Sequence, residues 1–126
     1  MRMLLLAAAG GALGSAARHL VNVGAVRAWG TAFPWSTLIV NAVGCLAMGV
    51  LAEVVAVRLG GSAALRAFLM TGILGGFTTF SAFALDFAVL VEREAPSVAA
   101  LYLAASVGLS LLGVFGGLAL ARSLLP

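Results

Sequence analysis

The sequence predicts an all-α membrane protein with four transmembrane helices, and two observations support this fold class. Apolar residues make up 63% of the 126 residues and charged residues only 9%, whereas about a quarter of the residues of a soluble domain are charged. A transmembrane helix needs about 20 mostly apolar residues, so the length suits four spans with short connections. We therefore expect residues 1–126 to form a single membrane domain.

The charged and turn-forming residues indicate where the spans end. We predict spans at about residues 3–23, 35–57, 65–91 and 98–120. Pro34 directly precedes the second span, and Trp29 and Trp35 flank its start as interfacial anchors do. The first span has the basic start and apolar run of a signal peptide, but its glycines are typical of helix packing. We expect it to stay in the mature protein.

The basic residues give almost no bias to the orientation of the chain in the membrane. Because Lys/Arg asymmetry between the two sides sets orientation, an even distribution predicts insertion both ways. No basic patch is large enough to follow nucleic-acid phosphates, so no nucleic-acid partner is expected. The seven basic residues, all arginine, divide as Arg2, Arg58, Arg66 and Arg122 on one side and Arg18, Arg27 and Arg93 on the other.

Glycines spaced four apart occur in three of the spans. Such pairs let helices approach closely in lipid, where there is no hydrophobic drive between helices. Four tightly packed helices leave no lumen inside one chain, so we expect any conduit to lie between subunits of an oligomer. The pairs are Gly10 with Gly14, Gly72 with Gly76, and Gly113 with Gly117.

Polar residues inside the second and fourth spans are candidates for a functional path. Asn41 follows Thr37 by four residues and shares its helical face. Its amide either binds helices together or lines a polar path. Tyr102, Ser106 and Ser110 form a stripe of hydroxyls at the same spacing. The alternative is an interfacial tyrosine with serines bonded to their own helix, but three on one face favour a path.

The third span contains the segment GGFTTFSAF, which is rich in residues that form helices poorly. We predict a break in the helix near its centre, where free carbonyls would be natural cation ligands. Gly75 is expected to matter there through its conformational freedom. Phe80 and Phe83 share a face and either pack in the core or turn their positive ring edges toward an anion.

The remaining reactive residues give weaker signals. Cys45 is the single cysteine and is expected to pack as a small hydrophobe. His19, the single histidine, has no Cys or carboxylate at ligand spacing and suggests no metal site. We find no nucleophile with a base and no carboxylate pair, so the sequence does not favour an enzyme.

Three segments, taken in order, carry a resemblance to a known family. GGALGSAAR in the first span, PWSTLIVNAVG at the second and GILGGFTTFSAF in the third resemble the signature blocks of the fluoride channel family, Fluc or CrcB. The third block is the most specific. The resemblance covers essentially the whole chain, including its length and four-span layout.

This resemblance implies a particular assembly and activity. The family forms an antiparallel dual-topology homodimer with two pores, through which fluoride leaves the cell passively. The expected setting is the inner or plasma membrane of a prokaryote, as a multi-pass protein, with fluoride, membrane lipid and a second copy of the chain as partners. A structural sodium ion would lie at the dimer interface, held by the backbone carbonyls of Gly75 and Thr78.

The resemblance also implies roles for individual side chains. The amide of Asn41 would meet the anion, and Arg18 would lie near a pore vestibule. The chain departs from the family pattern at Ser36, Ala82 and Val114, of which the last shortens the polar track. The remaining implied pore residues are the ring edges of Phe80 and Phe83, the hydroxyl of Ser81, and the track of Tyr102, Ser106 and Ser110.

Two other functions remain open on the sequence. A small, dual-topology, proton-coupled multidrug-type transporter has the same size and number of spans but needs a carboxylate in its first span. Residues 3–23 contain none, and Glu53 and Asp86 lie nearer the ends of their spans. A non-transporting assembly subunit held by small-residue packing would need no polar stripe.

Overall fold

The structure is a computed structural model that describes residues 1–125, and all of its secondary structure within that range is helical. Pro126, the last residue of the predicted domain, lies outside the described residues. Four helical spans are long and apolar enough to cross a membrane, which confirms an all-helical, multi-pass membrane protein. They are α1 (Arg2–Trp29), α2 (Trp35–Val57), the third span (Ala63–Glu92) and α5 (Pro96–Leu124).

The span limits follow the turn and cap residues of the sequence. The bounds of α2 agree with the predicted 35–57, whereas α1 continues to Trp29 rather than ending near residue 23. It ends at Gly30, whose φ of 75° lies in the left-handed region that glycine adopts without strain. Pro96 occupies the first turn of α5, where its missing N–H costs nothing.

The third span has two halves, α3 (residues 63–77) and α4 (Phe80–Glu92). Most of α3 is π-helical, from Arg66 to Leu74, and the Gly75 N–H donates to the carbonyl of Met70, five residues earlier. π-helical turns are rare and often occur at functional sites. Here a short α-helical turn, Gly75–Phe77, follows the π-helical segment and leads to the two residues that separate α3 from α4.

The helices pack as two parallel pairs, and glycines form the contact surface of the first pair, α1 with α3. A Cβ added at Gly72 would lie 2.8 Å from the Cα of Gly10, and one added at Gly14 would lie 2.9 Å from the backbone nitrogen of Phe77. Since real Cβ atoms essentially never come so close, only glycine permits this spacing. The predicted close packing at Gly10, Gly14 and Gly72 is confirmed within the chain.

The second pair, α2 with α5, is also in extensive contact. A Cβ at Gly117 would lie 3.1 Å from the Cα of Gly49, so these backbones also touch at glycine. At the end of the pair the Nε of Arg122 donates to Glu53 at 3.0 Å. The two helices therefore form a rigid wall beside the interrupted third span.

The buried apolar cluster lies between α2, α4 and α5. Tyr102 is fully buried at its centre, and Phe33, from the connection between α1 and α2, packs against it. This cluster fixes the position of α4 relative to α5. Its members are Leu38, Phe83, Leu90, Ala99 and Tyr102.

Candidate functional site

Two residues in the middle of the third span, Thr78 and Thr79, have extended backbone conformations. Their φ and ψ angles are −84° and 157° for Thr78 and −155° and 122° for Thr79. The hydroxyl of Thr79 accepts a hydrogen bond from the Ala82 N–H at 3.2 Å, which is the usual cap of a helix N-terminus. The two threonines thus end α3 and begin α4, which continues through the helix-forming run that follows them.

Asn41 of α2 binds the interruption formed by Thr78 and Thr79 through both polar atoms of its side chain. Its Nδ2 donates to the carbonyl of Thr79 at 2.9 Å, and its Oδ1 accepts from the Thr79 N–H at 2.8 Å. Paired in this way, the amide satisfies two backbone groups that a continuous helix would have bonded internally. One of the two Nδ2 hydrogens remains for another partner.

The hydrogen bonds around the interruption also free two carbonyls. In a continuous α-helix the Thr79 N–H would donate to the Gly75 carbonyl and the Ala82 N–H to the Thr78 carbonyl. These donors bond instead to the side chains of Asn41 and Thr79. Gly75 itself has ordinary helical dihedrals, with φ −63° and ψ −37°. The expectation that it acts through unusual dihedrals is therefore wrong.

A series of aromatic rings leads from the α1–α2 connection to the interruption. The ring centroids of Phe80 and Phe83 are 5.5 Å apart, those of Phe83 and Tyr102 are 5.3 Å apart, and Phe33 meets Tyr102 edge to face at 5.6 Å. Phe83 is buried, whereas Phe80 is 79% exposed. One ring of the predicted pair is thus held in the core, and the other projects from the surface of the protomer.

The hydroxyl groups of the predicted stripe on α5 have different surroundings. Tyr102 donates to Asp86 of α4 at 3.0 Å. Ser106 is only 5% exposed, and its Oγ has no hydrogen-bond partner within the described residues. It therefore makes no bond to its own helix, contrary to one alternative that the sequence left open. Ser110, one turn further on, is half-buried.

These groups surround a cavity of about 320 Å³, which we call the aromatic cavity. Its walls are α2, the interruption with the start of α4, and α5. Since Phe80 is largely exposed, the cavity opens at the side of the protomer. It is lined by Asn41, Cys45, Thr78, Thr79, Phe80, Phe83, Ser106, Val107, Ser110 and Leu111.

A second cavity of about 330 Å³, the arginine cavity, shares one lining residue, Thr79, with the first. Within the described chain, Arg18 is the one arginine in either lining, and neither lining contains a carboxylate. Ser36 and Ala82, two positions at which the resemblance implies a departure, lie here rather than along the stripe on α5. The lining is Ser15, Arg18, His19, Asn22, Ser36, Thr37, Val40, Thr79 and Ala82.

The structure brings most of the sequence-predicted site residues together. Tyr102 lies outside the lining of the aromatic cavity but contacts Phe83, which belongs to it. Ser81 is exposed, and its hydroxyl lies 3.3 Å from that of Thr79. Five other predicted pore residues line the aromatic cavity, namely Asn41, Phe80, Phe83, Ser106 and Ser110. Thr78, predicted as a sodium ligand, lines it as well, and Arg18 lines the second cavity.

Three residues near the site were missed by sequence reasoning. Asp86 was assigned to the end of its span, yet it holds the hydroxyl of Tyr102. Cys45 was assigned to packing, yet it lines the aromatic cavity. Phe33, in a connection, supports Tyr102. The spacing of four between Asn41 and Cys45 was the one available signal, because it puts both on one face of α2.

Comparison with known proteins gives a consistent result over nearly the whole chain. A family model described as CrcB-like protein, Camphor Resistance (CrcB), matches residues 5–118. A protein of Rhodospirillum centenum named Fluoride-specific ion channel FluC is 56% identical over 123 residues, which are 98% of each chain. A protein with the same name from Rhizobium etli is 53% identical over 98% of this chain and 99% of its own length. Another, from a Chelativorans species, is 54% identical over 99% of this chain and 100% of its own length.

Proposed function

Because the chain belongs to the CrcB family, we propose that it is a fluoride-selective ion channel that lets fluoride leave the cell passively and so lowers cytoplasmic fluoride. The observation that carries the proposal is the aromatic cavity, in which the unpartnered Ser106 hydroxyl and the Asn41 amide face the same space as Phe80 and Phe83. Relatives more than 50% identical bear the name of such a channel. The function is transport, not catalysis.

The chemistry of the two cavities suits a small, strongly hydrated anion. A selective pore must replace the lost water with hydrogen-bond donors. The second Nδ2 hydrogen of Asn41 and the hydroxyls of Ser106 and Ser110 are donors without a full charge that would trap the ion. The positive edges of Phe80 and Phe83 add weak attraction. With no carboxylate in either lining, repulsion is low along this path.

Arg18 has a different role in this proposal. It lines the arginine cavity, which shares Thr79 with the aromatic cavity. A positive charge at the mouth of a pore raises the local concentration of anions without binding them in the narrow part. We assign the arginine cavity as the vestibule, and the path continues past Thr79 to Phe80 and Phe83. Tyr102 would extend the track beyond Ser106, and Ser81 would add a hydroxyl at the rim.

The working unit in this proposal is an antiparallel, dual-topology homodimer with two pores. The aromatic cavity opens at the side of the protomer, and Phe80 is 79% exposed there. A second copy against this side would cover the ring and close the path. The near-even distribution of arginines, four against three, agrees with insertion in both orientations. We place this dimer in the inner or plasma membrane of a prokaryote.

A structural sodium ion at the dimer interface is the second part of the proposal. The carbonyls of Gly75 and Thr78 have lost their usual helical donors to the side chains of Asn41 and Thr79. Carbonyl oxygens freed in this way suit a hard cation, and Gly75 is exposed at the surface of the protomer. Residues 1–125 hold no cluster of acidic, Cys or His side chains that could bind a metal. The ion would neutralise these dipoles and stiffen the interruption.

The proton-coupled transporter is less well supported. Such a transporter needs a carboxylate that is free to exchange protons within the membrane, and α1 contains none. Glu53 pairs with Arg122, and Asp86 accepts from Tyr102. The other two acidic residues, Glu92 and Glu94, lie at the connection before α5.

The test of function is efflux from liposomes that contain the purified protein. We expect rapid, passive fluoride efflux and no measurable efflux of chloride under the same conditions. Empty liposomes control for leak. Efflux that requires a proton gradient would move the assignment to the transporter, and no flux of either ion would favour an assembly subunit.

The dimer is tested separately by fixing its orientation. Adding two or three arginines to the connection at residues 92–97 should fix one orientation, and adding them at residues 58–64 the other. Reporter fusions at the C-terminus verify each result. Either variant alone should fail to protect fluoride-sensitive cells, and the two together should restore protection. Full protection by a single verified variant would rule out the antiparallel dimer.

A further inference from the structure

Cys45 faces the aromatic cavity rather than packing wholly between helices. It lies one turn after Asn41 on α2, is half-buried and belongs to the cavity lining together with Asn41 and Ser110. On its other side it approaches α5, since a Cβ added at Gly113 would lie 3.6 Å from the Cβ of Cys45. The thiol therefore has the cavity on one side and the α2–α5 contact on the other.

An independent observation, the unsatisfied hydroxyl of Ser106, shows that this cavity can accept a polar ligand. The Oγ of Ser106 is buried and unpartnered among the described residues, and Ser106 belongs to the same lining. An unsatisfied buried hydroxyl costs about 1–3 kcal/mol, so water or an anion in the cavity would satisfy it. The cavity is roomy enough for both. A thiol in its wall then meets the same aqueous contents as Ser106.

We propose that Cys45 is a further lining residue of the ion path and the site at which small, water-soluble thiol reagents block it. This inference rests on the proposed function. A thiol is a small, weak hydrogen-bond donor, so it lines the path without holding the anion. A larger group on the same sulfur occupies the space between Asn41 and Ser110, through which the ion passes.

The chemistry of the block is that of a methanethiosulfonate reagent. The sulfur of Cys45 attacks the sulfenyl sulfur of the reagent, a new disulfide bond forms, and the bond to the sulfonyl group breaks. Methanesulfinate leaves, and the thiol proton passes to water. Because Cys45 is the one cysteine of the sequence, the wild-type chain needs no background substitution.

The experiment treats proteoliposomes with methyl methanethiosulfonate or the larger aminoethyl reagent and measures adduct mass and fluoride efflux on the same sample. We expect complete modification and loss of most of the initial efflux rate, with greater loss for the larger adduct. Dithiothreitol should restore the rate. Cys45→Ser should resist both reagents, with its own untreated rate as the reference. Cys45→Ala serves the same purpose if the serine variant does not assemble.

A matched control uses Val43, which is exposed two residues away and so lies on the opposite side of α2. Val43→Cys in the Cys45→Ser chain should keep its flux after treatment. An unreacted Cys45, or a complete adduct with an unchanged rate, would overturn the inference. Absence of fluoride efflux from untreated wild-type protein would instead count against the proposed function, and the two failures are distinguishable.

Discussion

The paired hydrogen bonds between Asn41 and Thr79 make a quantitative prediction for Asn41→Ala. The change removes two hydrogen bonds of 2.9 and 2.8 Å and leaves the N–H and carbonyl of a half-buried backbone residue without partners. Side-chain hydrogen bonds between helices in membranes are worth about 0.6 kcal/mol on average and up to about 1.7. Two of them give a loss of about 1–3 kcal/mol.

We expect this loss to appear as an unfolding constant about 5- to 150-fold larger, since about 1.4 kcal/mol corresponds to a factor of ten. Reversible unfolding in mixed detergent and SDS micelles measures it. Val43→Ala, which truncates an exposed side chain on the opposite side of α2, is the control and should change stability little. Fluoride efflux should fall in Asn41→Ala and not in Val43→Ala.

Asn41→Asp tests the donor role of the amide. Aspartate keeps an oxygen that accepts from the Thr79 N–H, but its second oxygen faces the Thr79 carbonyl, to which Nδ2 donates in the wild type, and it adds a negative charge. We expect a loss of stability at least as large as in Asn41→Ala, because the charge is half-buried without a partner, and a greater loss of flux, because the charge repels the anion. If Asn41→Ala unfolds like Val43→Ala and conducts like the wild type, the amide neither supports the interruption nor contacts the ion.

Three further predictions concern the rings, the helix contacts and the hydroxyl stripe. Phe83→Ile should sharply lower fluoride efflux from a protein that still assembles, whereas Phe115→Ile, at an exposed ring, should not. Equal efflux rates for the two variants would mean that the Phe83 ring only packs in the core. Gly14→Ala should destabilise the protein by about 1–3 kcal/mol through overpacking. Gly11→Ala places its methyl group in open space and should be neutral or slightly stabilising. Equal unfolding curves for the two variants would contradict the close α1–α3 contact. Tyr102→Phe keeps the ring contacts and removes a hydrogen bond to Asp86 worth about 0.5–1.5 kcal/mol. It should slow fluoride efflux, and an unchanged rate would show that this hydroxyl is not part of the path.

The helices could be predicted because their signals are local. Long apolar runs set the four spans, and Pro96 sets the start of α5. The extension of α1 to Trp29 was missed because the charged Arg27 was assigned to the connection, whereas the helix continues through it to Trp29. Interfacial residues suit either a helix end or a connection, so hydropathy alone does not distinguish them.

Contacts between helices could be predicted only where the sequences of both helices carry a signal for close packing. Glycine pairs indicate close approach on any face, and Gly10 and Gly14 did so correctly. The bond between Tyr102 and Asp86 joins residues that are 16 apart in sequence, and it depends on how α4 is rotated against α5. That rotation is set by packing of the whole cluster around Phe83 and not by any local pattern.

The interruption of the third span shows why the fold and the candidate site depend on the same residues. The threonine pair indicates weak helix formation but not which group replaces the lost backbone bonds. Asn41 supplies that group from a position 38 residues away in sequence, and in doing so it diverts the donor that would otherwise bond the Gly75 carbonyl. The same amide thus stabilises the extended residues, deprives the Gly75 carbonyl of its usual helical donor and keeps one Nδ2–H without a partner among the described residues. A continuous helix at Thr79 would remove all three consequences together.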